Sequence, residues 1–394
     1  MNELPLLRLL PGRDRRVKAG HPWAFSNEVQ MTPEARALPA GTPVRLEGDD
    51  GVKHGVWHFN PHSLIAARVL DRDPAALPDA AWYQARLASA LSLRERLGVA
   101  RHCRLVHAEA DGLPGLIIDR HGDAVAMQAN TAGMDAATPM IVAALQALLA
   151  PRSIVARNEA SVRGLEGLPI EARLLHGPDA QARIEEGGIG FEMDLLAGQK
   201  TGWFHDQREN RARVAALAPG ATMLDAFCHT GGFGLLAARA GAAHVTLLDR
   251  SEPALALAAR TAAAHGLEGR VTPLRAEALE AMERMVGAGQ RFDIVVADPP
   301  AFAKARKDIP AALRAYLRLA RLAAQLVAPG GFLFIASCSH HVAPPDFAEA
   351  VAQGVWRARR EARLLFTCGA GPDHPVHPHL PESAYLKAQL FALR

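Results

Sequence analysis

The chain has 394 residues, 49% of them hydrophobic and 22% charged, a length that suggests two to three domains with ample core. Forty-four Lys and Arg against 41 Asp and Glu leave a formal charge of +3. This excludes a strongly basic nucleic-acid scavenger, though not a locally basic face.

The first twenty residues carry Glu3, Asp14 and five basic residues and no long apolar stretch, so an ordinary secretory signal is not expected. Residues 1–75 read as short strands broken by turns: apolar pieces at Pro43–Leu46 and Leu64–Leu70 alternate with Gly41, Gly48–Gly51 and Asn60–Pro61. A small β-barrel or sandwich is expected there. Arg8, Arg13, Arg15, Arg16 and Lys18 lie just ahead of His21-Pro22-Trp23-Ala24-Phe25. Cations beside flat rings are what RNA phosphates and unstacked bases require, although a solvated loop beside core aromatics gives the same pattern.

From Asp79 the spacing of Trp82, Leu87, Leu91 and Leu97 predicts a helix up to Gly98. Strands are predicted at Arg104–His107, Gly115–Asp119, Ala124–Gln128 and Ser153–Ala156, with a helix over Ala136–Leu149. Residues 76–185 thus read as a small α+β middle domain, bounded softly by the loops at Gly177-Pro178 and Gly187-Gly188.

Residues 186–394 form the third expected domain. Strands at Thr222–Phe227, His244–Asp249, Val271–Leu274, Asp293–Asp298 and Phe332–Ser337 alternate with helices at Gly232–Ala240, Glu252–His265, Glu277–Val286 and Ile309–Val327. Apolar strands in βαβ alternation imply an α/β fold with a parallel sheet covered on both faces. No 18-residue apolar run is present, so no membrane span is expected. Cys103, Cys228, Cys338 and Cys368 show no CxxC spacing, which fits a reducing, cytoplasmic compartment.

The strand Thr222–Phe227 carries Asp225 and runs into Phe227-Cys228-His229-Thr230-Gly231-Gly232-Phe233-Gly234. Glycines allow close backbone approach, and a helix start offers amide donors. The turn is not GxGxxG, so a dinucleotide fingerprint is poorly met. Asp249 ends the next strand, where it can accept ribose hydroxyls; Glu277 follows the third and can meet an adenine amino group; Asp298 ends the fourth. Any one acid at a strand end is ordinarily a helix cap, but four strand ends in this order point to S-adenosylmethionine.

The C-terminal half resembles the class I S-adenosylmethionine-dependent methyltransferases, with their Rossmann-like domain. Nearly the whole chain resembles one branch, the large-subunit (23S) ribosomal RNA 5-methylcytosine methyltransferases of the RlmI type. The resemblance is carried by Gly20–Ser26, Asp111–Gly115, Gly198-Gln199-Lys200-Thr201-Gly202-Trp203-Phe204, Asp206-Gln207-Arg208, the glycine turn, Asp298-Pro299-Pro300, Ser337-Cys338-Ser339 and the run from His374 to Lys387. It implies a PUA domain, an RNA-binding fold, over the first 75 residues. Arg13, Arg15, Arg16, Lys18, His21 and Trp23 become expected RNA contacts, joined by Lys304 from the loop after the Asp-Pro-Pro motif.

The resemblance also implies that Gln207 and Arg208 help to hold the cofactor, together with Asp225, Phe227, Thr230, Gly231, Gly232, Asp249, Glu277 and Asp298. Cytosine C5 needs a thiolate added at C6 before it can attack a sulfonium methyl. Cys338 is the expected nucleophile and Asp298 the group that hydrogen-bonds the ring. Asp-Pro-Pro followed by Ala301-Phe302 also fits an RNA base N-methyltransferase acting on a flipped base, with Cys338 inert. A third reading is a catalytically silent RNA-binding assembly protein. His340 or His341 could move a proton. Cys228 is expected to pack in the turn. No metal is expected from His374, His377 and His379, which Pro375 and Pro378 separate. A homodimer is left open.

Overall fold

The computed structural model describes residues 4–198 and 202–394, and in it the chain divides into two compact units. Gln199, Lys200 and Thr201 of the GQKTGWF motif, and Glu3 of the N-terminal segment, lie outside the described residues.

The first unit holds the residues up to Ile184 together with Met193–His205 and Pro372–Pro381. Its N-terminal sheet is built from β1 (Leu6–Arg8), β2 (Trp23–Ala24), β3 (Thr42–Glu47), β4 (Lys53–Phe59) and β5 (Ala67–Asp71), in the order β1-β3-β4-β5-β2. Leu7, Leu9, Val44, Leu46, Trp57 and Phe59 fill its core. The strand expected at Leu64–Leu70 starts later. The turn at Asn60–Pro61 runs on, because the Asn60 side chain accepts from the His62 amide and its backbone N–H bonds the Ala66 carbonyl, which leaves Leu64 79% exposed.

A second sheet in this unit contains β6 (His102–His107), β7 (Leu116–His121), β8 (Ala124–Ala129), β9 (Ser153–Asn158) and β10 (Glu171–His176). The predicted helix is observed over Ala80–Arg96, its first turn capped by the Asp79 carboxylate on the Trp82 amide. Tyr83, Leu87 and Ala90 are the face it buries. Buried Arg94 spans Asp111 and the Asp373 carbonyl, tying the late segment into this unit. A hairpin of β11 (Gln181–Glu186) and β12 (Ile189–Asp194) follows.

The second unit is one seven-stranded sheet with helices. Its strands are β13 (Thr222–Ala226), β14 (His244–Asp249), β15 (Val271–Arg275), β16 (Phe292–Ala297), β17 (Val327–Ser337), β18 (Ala362–Cys368) and β19 (Lys387–Leu393). The order is β15-β14-β13-β16-β17-β19-β18; the first five run parallel, and β19 is antiparallel to both its neighbours. Strand order reverses at β13, so β14 and β16 diverge on either side of it. A ligand crevice opens at such a switch point, beyond the carboxyl ends of the strands. The helix over Ile309–Leu326 buries Tyr316, Leu319, Ala320 and Ala323 against this sheet. Among the described residues, no helix is long and apolar enough to cross a membrane.

Candidate active site

The carboxyl ends of β13, β14, β16 and β17 gather most of the expected catalytic and cofactor residues. After β13 the backbone takes positive φ at Phe227 (64°), His229 (51°) and Gly231 (79°), a contorted path on which the Phe227 and Cys228 amides bond the Leu248 carbonyl and the Gly231 amide bonds the Cys228 carbonyl. Gly234, in the first turn of the helix Gly232–Arg239, is fixed by space: a Cβ there would meet Leu247 Cδ2 at 2.3 Å. The missing side chain lets the helix sit directly on β14.

Two acids hold this turn. Asp225 is only 1% exposed, and its Oδ2 accepts from the Gly234 amide at 2.8 Å. Asp225 was expected to touch the cofactor; in the structure its Oδ2 braces the start of the helix that follows the turn. Asp249 accepts from the amides of His229 at 2.9 Å and Ser251 at 2.8 Å, one on each oxygen. Each oxygen keeps a second lone pair that can take a ribose hydroxyl. Glu277 is exposed at the start of the helix Ala278–Gly287, just beyond β15. Thr230 and Gly232 are half-buried in the turn.

Asp298 follows β16 at the neighbouring strand end. Gln207 Nε2 donates to its Oδ2 at 3.0 Å, while Asn210 donates to Gln207 Oε1 at 2.7 Å. Gln207 is therefore an orienting residue for Asp298. Arg208 begins the helix Arg208–Ala215 and is half-buried. Burial chiefly, with Asp298 and Asp249 adding to it, pushes the Asp225 carboxyl up to about 8. Three acids at adjacent strand ends form a field that a cationic ligand relieves, and S-adenosylmethionine carries both a sulfonium and an ammonium.

Cys338, directly after β17, is half-buried, and its Sγ lies 3.9 Å from the Pro299 carbonyl oxygen. The thiol thus sits against the Asp-Pro-Pro segment. Its two flanking serines are spoken for. Ser337 donates to the Tyr316 hydroxyl at 2.7 Å, and Ser339 shares a 2.8 Å bond with the same hydroxyl. Lys387, on β19, donates to the carbonyls of Ser339 and Val342. His340 stacks on Tyr385 at 5.0 Å, and the Tyr385 hydroxyl bonds Asp206. By contrast, burial above all, with Asp225 and Asp249 nearby, pushes the Cys228 thiol well up, as befits a packed residue in the turn.

Tyr316, Asn210 and Lys387 escaped the sequence reading of the site. Tyr316 lies mid-helix on a buried stripe that looks like ordinary core, and Lys387 meets its partners only through strand pairing.

The expected RNA contacts lie in the first unit, apart from Lys304. Arg13 and Arg15 are exposed. Arg16 stacks over Phe25 at 4.5 Å. The His21 ring accepts from the Trp23 amide. Trp23 donates to Glu109 at 2.8 Å and lies under Arg68. Lys18 is held between Asp14 and Asp50, so much of its charge is already matched inside the domain. Lys304 is exposed in the loop after Phe302.

Comparison with known proteins agrees with this geometry. The S-adenosylmethionine-dependent methyltransferase family matches residues 166–392, and a PUA-like domain matches residues 7–72. A protein of Shewanella amazonensis called ribosomal RNA large subunit methyltransferase I is 36% identical over 97% of both chains. One of the same name from Aeromonas hydrophila is 35% identical over 98% of both. The chain belongs to this methyltransferase family. Its cofactor is S-adenosylmethionine. A crystal structure of a protein assigned as a methyltransferase, in complex with SAH, superposes with a TM-score of 0.82 over 99% of this chain and all of the other. At 19% identity that likeness shows the fold. A second solved structure, from Streptococcus mutans, gives 0.80.

Proposed function

We propose that this methyltransferase modifies carbon 5 of a cytosine in large-subunit (23S) ribosomal RNA through a covalent adduct with Cys338. The relatives' shared name supports the RNA substrate. The observation that carries the chemistry is the thiol of Cys338, just after β17, set against the carbonyl of Pro299, the residue that follows Asp298 in the chain. S-adenosylmethionine supplies an electrophilic methyl group.

In this reading the Cys338 thiolate adds to C6 of the cytosine, and the electron pair appears at C5 and N3. Asp298, oriented by Gln207, hydrogen-bonds the ring as that charge develops. C5 takes the methyl group, with S-adenosylhomocysteine leaving; a base then removes the C5 proton, and Cys338 departs to restore the ring. Arg13, Arg15, Arg16, His21, Trp23 and Lys304 contact the RNA, while Lys18 contributes less because it is already paired.

Ribosomal RNA carrying tritium at cytosine C5 tests the reading. Release of tritium on methylation is expected, together with its loss in Cys338→Ala. Methyl transfer without release would instead favour attack on a base nitrogen, in keeping with Asp298-Pro299-Pro300-Ala301-Phe302. A Cys338→Ala protein that methylates at the normal rate would remove the covalent step.

A further inference from the structure

The ammonium of Lys387 is buried, with the residue only 7% exposed. A buried cation is costly unless a counter-charge meets it. Among the described residues no carboxylate lies within ion-pair distance of Lys387; its hydrogen bonds go to two neutral carbonyls, Ser339 O at 2.6 Å and Val342 O at 2.9 Å. An ammonium has three donors, so two bonds leave one to place.

The position of these contacts is specific. In the antiparallel pairing of β17 with β19, Lys387 stands opposite Ser337. Its side chain then reaches the carbonyl of Ser339. The cation therefore brackets Cys338 from the residue before it to the residue after it. We infer that Lys387 is a positioning residue for the nucleophile: its ammonium holds the loop after β17 and serves as the counter-charge of the Cys338 thiolate. The inference rests on the reading of Cys338 as nucleophile.

Among the described residues, the other groups around this loop offer no cation of their own. Cys338 faces the Pro299 carbonyl, a neutral group that supplies no counter-charge. Tyr316, from the helix behind the loop, is held neutral by burial and offers its hydroxyl to the two serines. His340 is in the same loop and stacks on Tyr385. Burial drives Lys387 below the ordinary lysine value, and interaction with Cys338 drives it back up. By reciprocity, the ammonium favours the thiolate.

The test is the pH profile of Cys338 alkylation by iodoacetamide, read by peptide mass spectrometry on the full chain. In the wild type the midpoint is expected below the free-cysteine value of about 8.5. Lys387→Gln keeps donors for the two carbonyls and removes the charge. It should move the midpoint up by about one pH unit and slow alkylation near neutrality roughly tenfold. Lys387→Arg should stay near the wild type, and Lys387→Met should behave like the Gln variant.

A wild-type midpoint at or above the free value overturns the inference without any variant. So does a Lys387→Gln profile that overlays the wild type. Alkylation needs no RNA, so these outcomes are independent of whether Cys338→Ala still methylates; that result judges the covalent reading alone. A role confined to holding the loop would lower stability or turnover and leave the thiol midpoint where it was.

Discussion

Asp225→Asn in the cofactor-free protein isolates the cost of burying the acid under the glycine turn. With its carboxyl raised to about 8 by burial first and by Asp298 and Asp249 next, the folded protein keeps Asp225 protonated at neutral pH. The unfolded chain releases that proton above the ordinary value of 3.8. The folded state binds more protons between those limits, so this residue's contribution falls as pH rises, by about 1.4 kcal/mol per pH unit. It levels off above the folded value. Between about pH 6 and about pH 8 the loss is therefore roughly 2–3 kcal/mol.

Asn is nearly isosteric with the protonated acid, and its carbonyl can still accept from Gly234. The variant should match the wild type only below about pH 4, exceed it by roughly 3 kcal/mol near pH 6, and gain a further 2–3 kcal/mol or so by about pH 8. Native-state hydrogen exchange of peptides covering 222–226 measures the opening free energy where the residue sits. Saturating S-adenosylmethionine, being cationic, should flatten the wild-type slope. If the wild type and the variant lose protection in parallel as pH rises, Asp225 is not the titrating group and the proposed strain among the three acids is wrong.

Other perturbations reach separate parts of the fold. Gly234→Ala drives a Cβ into Leu247 and Val245 and should cost about 1–3 kcal/mol in urea melts while weakening cofactor binding in calorimetry. Tyr316→Phe strips the shared partner from Ser337 and Ser339; a loss of about 1–3 kcal/mol is expected, with turnover falling more than cofactor affinity. Arg94→Met leaves Asp111 buried without its cation and should cost about 3–5 kcal/mol in the first unit, seen as faster exchange at β6.

The parts of this molecule most legible in the sequence were those whose signal is local. β13 to β16 and the helices between them follow from short apolar runs alternating with amphipathic stretches, and the helix predicted at Ile309–Val327 is observed at Ile309–Leu326. The turn after β13 was visible because Gly231, Gly232 and Gly234 cluster where a strand gives way to a helix. What was hidden depends on pairing over distance. Lys387 meets the loop after Cys338 only because β19 runs back along β17, a register that composition cannot convey. Asp373 joins Arg94 and the amide of Arg104, far earlier in the chain. The bond from the Gly234 amide to Asp225 was also hidden, because it depends on how the helix packs. The burial of Asp225 follows from the close approach of the helix that Gly234 permits.

The two units should respond to acid in opposite senses. In the first, burial holds His58 on β4 and His107 on β6 down to about 3, with Arg104 and His374 assisting at His107. Both stay neutral in the folded protein while the unfolded chain takes up protons below the ordinary 6.5. Their contribution is complete above that value and is lost as pH falls, by about 1.4 kcal/mol per unit for each histidine. Asp225 works in the other direction: its disadvantage shrinks steadily as pH falls from about 8 and is gone near its ordinary value. Between about pH 6.5 and about pH 5.5 the first unit should lose roughly 2–3 kcal/mol from its two histidines while the second gains about 1 kcal/mol from Asp225. Hydrogen exchange should therefore quicken in β4 and β6 and slow in β13 over the same interval. His58→Leu should remove about half of the first unit's slope, whatever it does to absolute stability. Protection that moves together in both sheets, with a slope unchanged by His58→Leu, would refute the assignment of these groups.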